Sequence, residues 1–344
     1  MQVILSTGVI EIDGGIGGGQ VVRTALALSA VTGEPVTVED VRGNRSEPGL
    51  EHQHLAAVRV LGRIADADVE GDELGSGRVV FEPGAVRGGE YEVDIPTAGS
   101  VTLLFDAVLP LAVATPDPIA VTATGGTAVK WSPTMAYYRR VKLPLLRRAG
   151  LQAAVDVDRV GYYPTGGGRA RLSLAPSTVT PTLGDRGERE VARVYSAADW
   201  RLSDDDVARC QAEAAAEALR ESGVDVADVT TASVAADCPG SSVAVRVDYG
   251  TAIAGFDSLG EPGRPAEAVG EAAAGAAREF HAGPGAVDEH MADQLLPFLG
   301  LCGGRVLIPE VTDHVESSIE LLGAFDRGIA VRESGDGWLL VGDD

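Results

Sequence analysis

The stretch Arg305-Val306-Leu307-Ile308-Pro309-Glu310-Val311-Thr312-Asp313-His314-Val315-Glu316-Ser317-Ser318 passes from an apolar strand through a polar turn into a helix. A short apolar run that ends at a proline is typical of a strand, and the chain continues with helical spacing to Phe325. The sequence therefore predicts a strand over Arg305–Pro309, a turn over Glu310–Asp313 and a helix over His314–Phe325. This stretch decides the fold because its order of elements occurs three times along the chain.

Each repeat has a helix, a short strand, a polar turn, a second helix and then strand-like sequence. The other predicted ranges are helix Gln20–Val31, strand Pro35–Val41, turn Arg42–Leu50, helix Gln53–Ile64, helix Ser100–Val113, strand Ile119–Thr124, turn Gly125–Pro133, helix Met135–Ala149 and helix His290–Leu301, with later strands at Val79–Phe81, Ala170–Leu174 and Trp338–Val341. Helices packed on a sheet explain this order, so we predict an α/β (α+β) fold in which three β-α-β-α-β-β units form a large domain. Because each polar turn occupies the same place in its unit, the turns are expected to converge on one site.

A block of different character lies between the second and third repeats. It contains a turn at Gly184–Gly187, a strand at Val191–Tyr195, a helix capped by Ser203 and Asp204, strands at Val229–Ala235 and Val243–Val247, and an alanine-rich helix from Pro265. We interpret residues 183–283 as a smaller inserted α+β domain, and residues 1–182 with 284–344 as the large domain.

Acidic residues far outnumber basic ones: the 344 residues include 51 Asp and Glu against 28 Lys and Arg, and the net charge is −23. Lys130 and Lys142 are the lysines, so arginine supplies nearly all of the positive charge. A surface of this kind is expected of a protein from a hypersaline cytoplasm; an acidic protein that avoids nucleic acid is the alternative. Since the Debye length is about 3 Å in molar salt, the charge does not exclude RNA binding through a local arginine patch.

The three cysteines lie far apart and lack metal-ligand spacing, which is typical of a reducing compartment. The longest apolar stretch, Val101–Thr115, is interrupted by Asp106 and Pro110 and is unsuited to span a membrane. No signal peptide is recognised at the start of the sequence, and we expect a cytoplasmic protein.

A glycine-rich run, Gly14–Gln20, precedes a predicted helix that carries Arg23. Glycines let the backbone approach a ligand closely, and the free N–H groups of a helix N-terminus attract anions. The spacing matches neither the dinucleotide-binding pattern nor the P-loop. The run indicates an anion site, with a tight strand-to-helix turn as the alternative.

The densest polar cluster is Arg42-Gly43-Asn44-Arg45-Ser46-Glu47-Pro48-Gly49-Leu50-Glu51-His52-Gln53-His54-Leu55. Its two arginines suit phosphate oxygens because the forked donors of guanidinium match them. Gln53 and His54 open the next helix and face the same turn. We expect the arginines to hold phosphates rather than to pair with surface acids; a solvated loop is the alternative.

Two histidines begin helices of the third repeat. In Asp288–Leu295, helical spacing places His290, Asp293 and Gln294 on one face, but a zinc site there lacks further ligands at a known spacing. His314 stands where a strand turns into a helix. Neutral imidazole is a good nucleophile near pH 7, and helix N–H groups can hold a phosphate beside it. A helix cap or a surface histidine is the alternative reading.

Together these segments resemble the RNA 3′-terminal phosphate cyclase family. The matching runs, in family order, are GGGQ-x-x-R-T-A-L (Gly17–Leu26), R-G-x-R-x-x-P-G-L-x-x-Q-H-L (Arg42–Leu55), T-A-G-S-x-T-L (Thr97–Leu103), G-Y-Y-P-x-G-G-G (Gly161–Gly168), D-E-H-x-A-D-Q-L (Asp288–Leu295) and the late turn at His314. They span essentially the whole chain and leave room for the family's insert domain where residues 183–283 differ in character.

The resemblance implies an enzyme that uses ATP and a divalent metal, Mg²⁺ or Mn²⁺, to convert an RNA 3′-phosphate into a 2′,3′-cyclic phosphate. It implies that His314 attacks the α-phosphate of ATP, that the resulting histidine-bound AMP passes to the RNA 3′-phosphate, and that the 2′-OH then expels AMP. The implied ATP-contacting residues are Asp106, His290, Met291, Ala292, Asp293 and Gln294. The implied phosphate or RNA-end residues are Gln20, Arg23, Arg42, Arg45, Gln53 and His54. A homodimer is compatible with the resemblance.

The sequence departs from the family's pattern at two positions. Ile16 stands where an acidic residue that holds the metal is common, so the metal ligands are unknown; Glu11, Asp13, or phosphates and water are the candidates. Asp106 stands where a glutamine that contacts ATP is common, and it places a negative charge near phosphates.

Two rival functions follow from related sequences. A non-catalytic cyclase-like protein that acts in ribosome assembly is the first, but such proteins lack the nucleophilic histidine that this chain keeps at position 314. An enolpyruvate transferase is the second. It shares the repeated unit, but its anion site is lined by lysine and arginine, and this chain has few lysines.

Overall fold

A computed structural model describes residues 5, 6, 8–15 and 18–343 of the chain. Its first repeated unit consists of β1 (Leu5–Ser6), β2 (Val9–Asp13), α1 (Gly19–Thr32), β3 (Val36–Glu39), α2 (His52–Ile64), β4 (Asp68–Glu70) and β5 (Val79–Glu82). β2 and β3 pair in parallel, and β5 then β4 add antiparallel. The helices and the strands predicted for this unit are confirmed, with small shifts at their ends.

The second unit repeats this order. It consists of β6 (Gly89–Asp94), α3 (Val101–Val108) with a 3₁₀ turn at Leu109–Val113, β7 (Ile119–Gly125), α4 (Met135–Tyr137), a π-helical turn at Tyr138–Lys142, α5 (Leu143–Arg148), β8 (Ala153–Arg159) and β9 (Gly168–Leu174). The helix predicted over Met135–Ala149 is therefore interrupted, because one wide turn separates α4 from α5. Such turns are uncommon and frequently occur at functional sites.

A separate four-stranded sheet follows β10 (Thr182–Leu183). Its elements are β11 (Arg189–Asp199), a 3₁₀ turn at Trp200–Leu202, α6 (Val207–Glu221), β12 (Val226–Val234), β13 (Ser241–Tyr249), β14 (Ile253–Leu259) and α7 (Ala266–Ala282). The strands lie in the order β12-β11-β13-β14, and α6 packs against α7 and the sheet. The extra strand β14 was not predicted, since Gly255, Asp257 and Ser258 give it low strand propensity.

The predicted cap of the first helix in this segment is wrong. The helix begins at Val207, after Asp206 in the left-handed conformation (φ 51°). Ser203 lies one turn earlier, and its hydroxyl is within 3.1 Å of the Ser233 hydroxyl instead of a helix N–H.

The third unit consists of β10 and, after the separate sheet, α8 (Glu289–Gln294), α9 (Leu296–Cys302), β15 (Gly304–Ile308), α10 (Asp313–Ala324), β16 (Ile329–Ser334) and β17 (Gly337–Gly342). Leu183 pairs in parallel with Val306, so the intervening segment interrupts the third unit instead of preceding it. The single helix predicted over His290–Leu301 is divided at Leu295. Pro297 is the cause, because it lacks the N–H that would continue the helix.

All three units contain a parallel pair followed by two antiparallel strands, and the first unit has β1 as an additional antiparallel edge strand. Helix α1 lies where the units meet and packs against α2, α3 and α10. Its residues are buried almost continuously from Val21 to Ala30, which explains why its sequence is apolar nearly all round. No helix within the described ranges is long and apolar enough to cross a bilayer.

Candidate functional site

A cavity of about 1190 Å³ opens where the helix starts of the three units meet. Each predicted polar turn contributes to its wall: Arg42 and Arg45 from the first, Trp131 from the second and Thr312 from the third. The expected convergence of the three turns is thus confirmed. Residues of β14 complete the wall on one side, among them Asp257.

Nearly every site residue proposed from the sequence lines this cavity. The lining residues among them are Gln20, Arg23, Arg42, Arg45, Gln53, His54, Asp106, His290, Asp293, Gln294 and His314. Met291 and Ala292 are the exceptions, because both are buried on the core side of α8. Neighbouring residues of a helix point in different directions, so side chains at these positions cannot share the face of His290 and Asp293.

His314 is exposed at the second position of α10. Thr312 caps this helix: its hydroxyl accepts the Val315 N–H at 3.3 Å. Within the described residues, neither imidazole nitrogen of His314 has a hydrogen-bond partner. The side chain therefore stands beside the positive end of a helix, with a ring nitrogen available for reaction.

Gln20, at the start of α1, connects this helix to α8 and α10. Its amide nitrogen donates to the carboxylate of Asp293 at 3.1 Å and to the hydroxyl of Ser318 at 3.0 Å. Burial raises the pKa of Asp293, while the nearby Lys142 and His314 oppose that shift. These contacts hold α1, α8 and α10 in one arrangement around the cavity.

Lys142 neutralises Asp106, the acidic residue for which the family resemblance implies a position near phosphates. Its ammonium group donates to Asp106 at 2.6 Å and to the amide oxygen of Gln294 at 2.6 Å. The lysine side chain is only 2% exposed, and the π-helical turn presents it to the cavity. Sequence reasoning did not identify Lys142 as a site residue, although a lysine is rare in this arginine-rich chain.

Arg23 supplies an unpaired guanidinium. Burial lowers its pKa, and the carboxylates of Asp106 and Asp293 oppose the shift. No described carboxylate lies within 4.0 Å of it. Arginine stays charged even when its pKa falls, so the cavity wall holds a cation that lacks a direct counterion.

The two arginines of the first turn differ from each other. Arg45 is exposed and forms no ion pair within the described ranges; its guanidinium lies over Gly18, where a Cβ atom would be 3.2 Å from Nη2. Arg42 is buried, forms an ion pair with Glu51 and donates to the carbonyl oxygen of Gly49 at 2.8 Å. The expectation that neither arginine pairs with an acid is therefore wrong for Arg42. The carboxylate of Glu51, at the start of α2, neutralises the positive charge of Arg42.

His54 is a buried neutral histidine. Its Nδ1 accepts the Glu51 N–H at 3.3 Å, which closes the capping box of α2, and its Nε2 lies 3.4 Å from the side-chain amide nitrogen of Gln53. Burial, reinforced by Arg23 and Arg42, lowers its pKa to about 3. A Cβ atom on Gly19 would lie 2.0 Å from Nε2, so only glycine permits this packing. Both ring nitrogens of His54 thus have partners, in contrast to those of His314 within the described residues.

Asp288 fixes the start of α8. One carboxylate oxygen accepts the Tyr137 hydroxyl at 2.7 Å and the Met291 N–H at 3.0 Å, and the other accepts the Gly255 N–H at 3.0 Å. Burial raises the pKa of Asp288. This residue joins α4, α8 and β14, and so it holds His290 at the cavity wall.

The described residues contain no cluster of three or more His, Cys, Asp or Glu side chains that could hold a metal ion. Asp13 accepts the Gly15 N–H at 2.8 Å, and neither Glu11 nor Asp13 lines the cavity. Ile16 lies outside the described residues. Asp106 and Asp293, two of the acids that line the cavity, are engaged by Lys142 and Gln20. A dedicated metal site does not fit this part of the chain, and we derive no step through a bound metal.

Comparisons with known proteins agree with this geometry. The family model described as RNA 3′-terminal phosphate cyclase matches residues 14–327. A protein named RNA 3′-terminal phosphate cyclase from Halobacterium salinarum is 48% identical over 343 residues, which cover 96% of this chain and 98% of that protein. Proteins of the same name from Methanopyrus kandleri (45% identical, 86% of each chain) and Pyrococcus furiosus (39% identical, 92% of this chain and 93% of that one) are also similar.

A structural likeness to the enolpyruvyl transferase NikO from Streptomyces tendae is too weak to support the second rival. It has a TM-score of 0.29 and 15% identity and covers 48% of this chain and 31% of that chain. The family match, in contrast, includes the glycine-rich run Gly14–Gln20, the turn Arg42–Leu50 that carries the two arginines, and His314. The chain belongs to the RNA 3′-terminal phosphate cyclase family.

Proposed function

We propose that the protein converts an RNA 3′-terminal phosphate into a 2′,3′-cyclic phosphodiester at the expense of ATP. The observation that carries the proposal is the position of His314 at the start of α10, in the same cavity as the guanidinium of Arg23, where neither side chain has a hydrogen-bond or ion-pair partner among the described residues. A nucleophile beside groups that can stabilise phosphate charge is what nucleotidyl transfer needs. The names of the similar proteins from three archaea support the same reaction.

The first step uses the lone pair of a His314 ring nitrogen. It attacks the α-phosphorus of ATP, the bond to the bridging oxygen of the β-phosphate breaks, and pyrophosphate leaves with that electron pair. A histidine–AMP phosphoramidate results, and the ring loses the proton from its other nitrogen to solvent. Arg23 and Arg45 lie where they can hold the phosphate oxygens, because neither is paired with a described acid. Mg²⁺ or Mn²⁺ held on phosphates and water would neutralise further charge.

Two further transfers complete the reaction. An oxygen of the RNA 3′-phosphate attacks the phosphorus of the bound AMP, the P–N bond breaks, and RNA(3′)pp(5′)A forms as His314 takes up a proton. The neighbouring 2′-OH then attacks the RNA phosphorus, loses its proton and expels AMP. Adenylation makes this last step feasible, since a free phosphate monoester has a poor leaving group.

Incubation with α-labelled ATP and a divalent metal, followed by a denaturing gel, tests the proposal. We expect a labelled protein band that chases to RNA when a 3′-phosphorylated oligonucleotide is added, and a product that resists phosphatase. A protein that binds RNA but never acquires label would instead be the non-catalytic cyclase-like protein.

A further inference from the structure

Trp131 is the most exposed large apolar side chain of the structure, at 94% exposure. It lies in the turn between β7 and α4 and lines the cavity mouth. Its φ is 61°, a left-handed conformation that is unfavourable for a bulky residue. Such a conformation costs free energy and persists only where the surrounding structure enforces it. Residues of this kind are found mainly at functional sites.

The turn that carries Trp131 forms hydrogen bonds with the Gly161–Gly168 segment. The carbonyl oxygen of Gly161 accepts the N–H groups of Thr127 and Ala128 at 2.9 and 3.1 Å, and its N–H donates to the Thr127 hydroxyl at 2.9 Å. A β-bridge joins Ala128 to Tyr162. These hydrogen bonds fix the backbone of the turn that carries the exposed indole. The Gly161–Gly168 motif thus has a structural role, which is to hold this turn in place.

Two cationic side chains that line the cavity together with Trp131, Lys130 and Arg264, already have partners within the protein. Lys130 pairs with Glu261 at 3.0 Å, and Arg264 donates to Ser258, Leu259 and Ala268. Arg23 and Arg45, on other walls of the cavity, supply guanidinium groups that have no ion-pair partner in the part of the chain that the structure describes. Arg23 and Arg45 can therefore bind the phosphates, and the indole of Trp131 offers an aromatic surface at the opening of the cavity.

The cavity has room for more than one ligand. Its volume of about 1190 Å³ exceeds the range of about 300–1,000 Å³ that is usual for a single small-molecule site. A nucleotide and the end of an RNA strand must both enter for the proposed reaction. Unstacked bases at RNA ends are commonly bound on aromatic side chains, which accept any base because each has a π-face.

We propose that Trp131 is the stacking platform for a nucleobase near the 3′ end of the RNA substrate. The inference rests on the proposed function, because that function supplies the RNA strand. It assigns Trp131 to RNA and not to the adenine of ATP. The two assignments predict different results for the transfer of AMP to the protein and for its later transfer to RNA.

Trp131→Ala and Trp131→Phe separate the half-reactions. In Trp131→Ala, we expect the KM for 3′-phosphorylated RNA to rise about 5- to 150-fold, the equivalent of one stacked base, with Trp131→Phe in between. Label transfer from ATP to the protein, which needs no RNA, should keep its rate and its KM for ATP. Trp200→Ala is the matched control, since Trp200 is also exposed (61%) but does not line the cavity.

Two outcomes would overturn the inference: an unchanged KM for RNA in Trp131→Ala, or a raised KM for ATP in the labelling step, which would assign the indole to adenine. Tryptophan fluorescence gives a readout without catalysis. RNA added without ATP should quench the wild type, and Trp131→Phe should lose that quench while Trp200 and Trp338 remain. If the wild type never acquires label, the proposed function fails, yet the quench still decides the role of Trp131.

Discussion

The ammonium group of Lys142 lies 2.6 Å from a carboxylate oxygen of Asp106, and the lysine side chain is almost fully buried. The pair joins the π-helical turn to α3, and Gln294 extends it to α8. A buried ion pair of this kind neutralises an acid that would otherwise repel the phosphates of a nucleotide. It also makes the wall of the cavity dependent on both partners.

Lys142→Met is expected to destabilise the protein by about 3 kcal/mol, the lower end for a broken buried pair, because the Asp106 carboxylate, 16% exposed, loses its partner. Chemical denaturation measures this free energy of unfolding. The chain offers a matched control in its other lysine: Lys130 forms an exposed pair with Glu261, and Lys130→Met should cost about 0–1 kcal/mol. Adding Asp106→Asn to Lys142→Met should recover part of the loss. Equal effects of the two lysine variants would contradict a structural role for the buried pair.

His314→Ala and His314→Asn are expected to abolish transfer of AMP to the protein with little change in stability, because His314 is exposed and its ring has no described partner. Label on a denaturing gel and thermal unfolding give the two readouts. If acid-labile AMP persists on the His314 variants, another histidine is the nucleophile. His54 and His290 would then be the candidates, of which His290 is exposed and His54 is buried.

Arg45→Ala should weaken turnover without lowering the melting temperature, because Arg45 is exposed and unpaired in the described structure. Loss of one charge-assisted contact to a phosphate costs about 1.5–3 kcal/mol of binding. Arg42→Ala should lower the melting temperature as well, since Arg42 ties Glu51 and Gly49 together. Steady-state kinetics combined with thermal unfolding distinguishes the two residues. A stability loss in Arg45→Ala that matches that of Arg42→Ala would show that both arginines are structural.

Stability should fall as the pH drops from about 6.5 towards 3, partly because of His54. Its pKa is lowered from 6.5 to about 3 in the folded protein, so the unfolded chain binds a proton in this window that the folded chain does not. One such proton changes the free energy of unfolding by about 1.4 kcal/mol per pH unit. His54→Asn retains a hydrogen-bond acceptor and removes the titration, and its profile should be flatter. A slope that stays steep in His54→Asn would contradict the assignment.

The net charge of −23 and the preference for arginine over lysine predict a protein that gains stability in concentrated salt. Screening of self-repulsion drives this gain, although RNA binding weakens as counterion release loses its force. Thermal unfolding in about 0.1 M and about 2 M KCl, where the Debye length falls from about 10 Å towards 3 Å, is the measurement. An unchanged or lower melting temperature at high salt would mean that the acidity has another cause.

Much of the fold could be predicted because its signals are local. The helices α1, α2 and α10 have apolar residues at helical spacing, and the strands beside them are short and apolar. The division of the third-unit helix at Pro297 was readable in principle, since proline cannot continue a helix from its N–H. The burial of Met291 and Ala292 also follows from helical spacing once His290 and Asp293 are assigned to the cavity.

Other features depend on contacts that the sequence does not reveal. The pairing of Lys142 with Asp106 requires the wide turn at Tyr138–Lys142. Pro144 indicates that the helix is interrupted here, but not which side chain the turn brings to Asp106. The ion pair of Arg42 with Glu51 depends on the left-handed φ of 55° at Arg42, which turns the guanidinium back towards the start of α2. A dense arginine cluster therefore indicates a place that binds anions, but not which of its arginines is free to do so.

The parallel pairing of Leu183 with Val306 has a consequence for how the protein is made. β10 emerges from the ribosome early, but its partner β15 follows only after the whole separate sheet has been synthesised. The first two units can close their sheets during translation, because their strands are neighbours along the chain. The third sheet must close a long loop first, and non-local pairings of this kind are slow. Since α10 follows β15, the cavity gains His314 only at the end of assembly, so an unfinished chain carries the arginine turn and the exposed tryptophan before it carries the histidine.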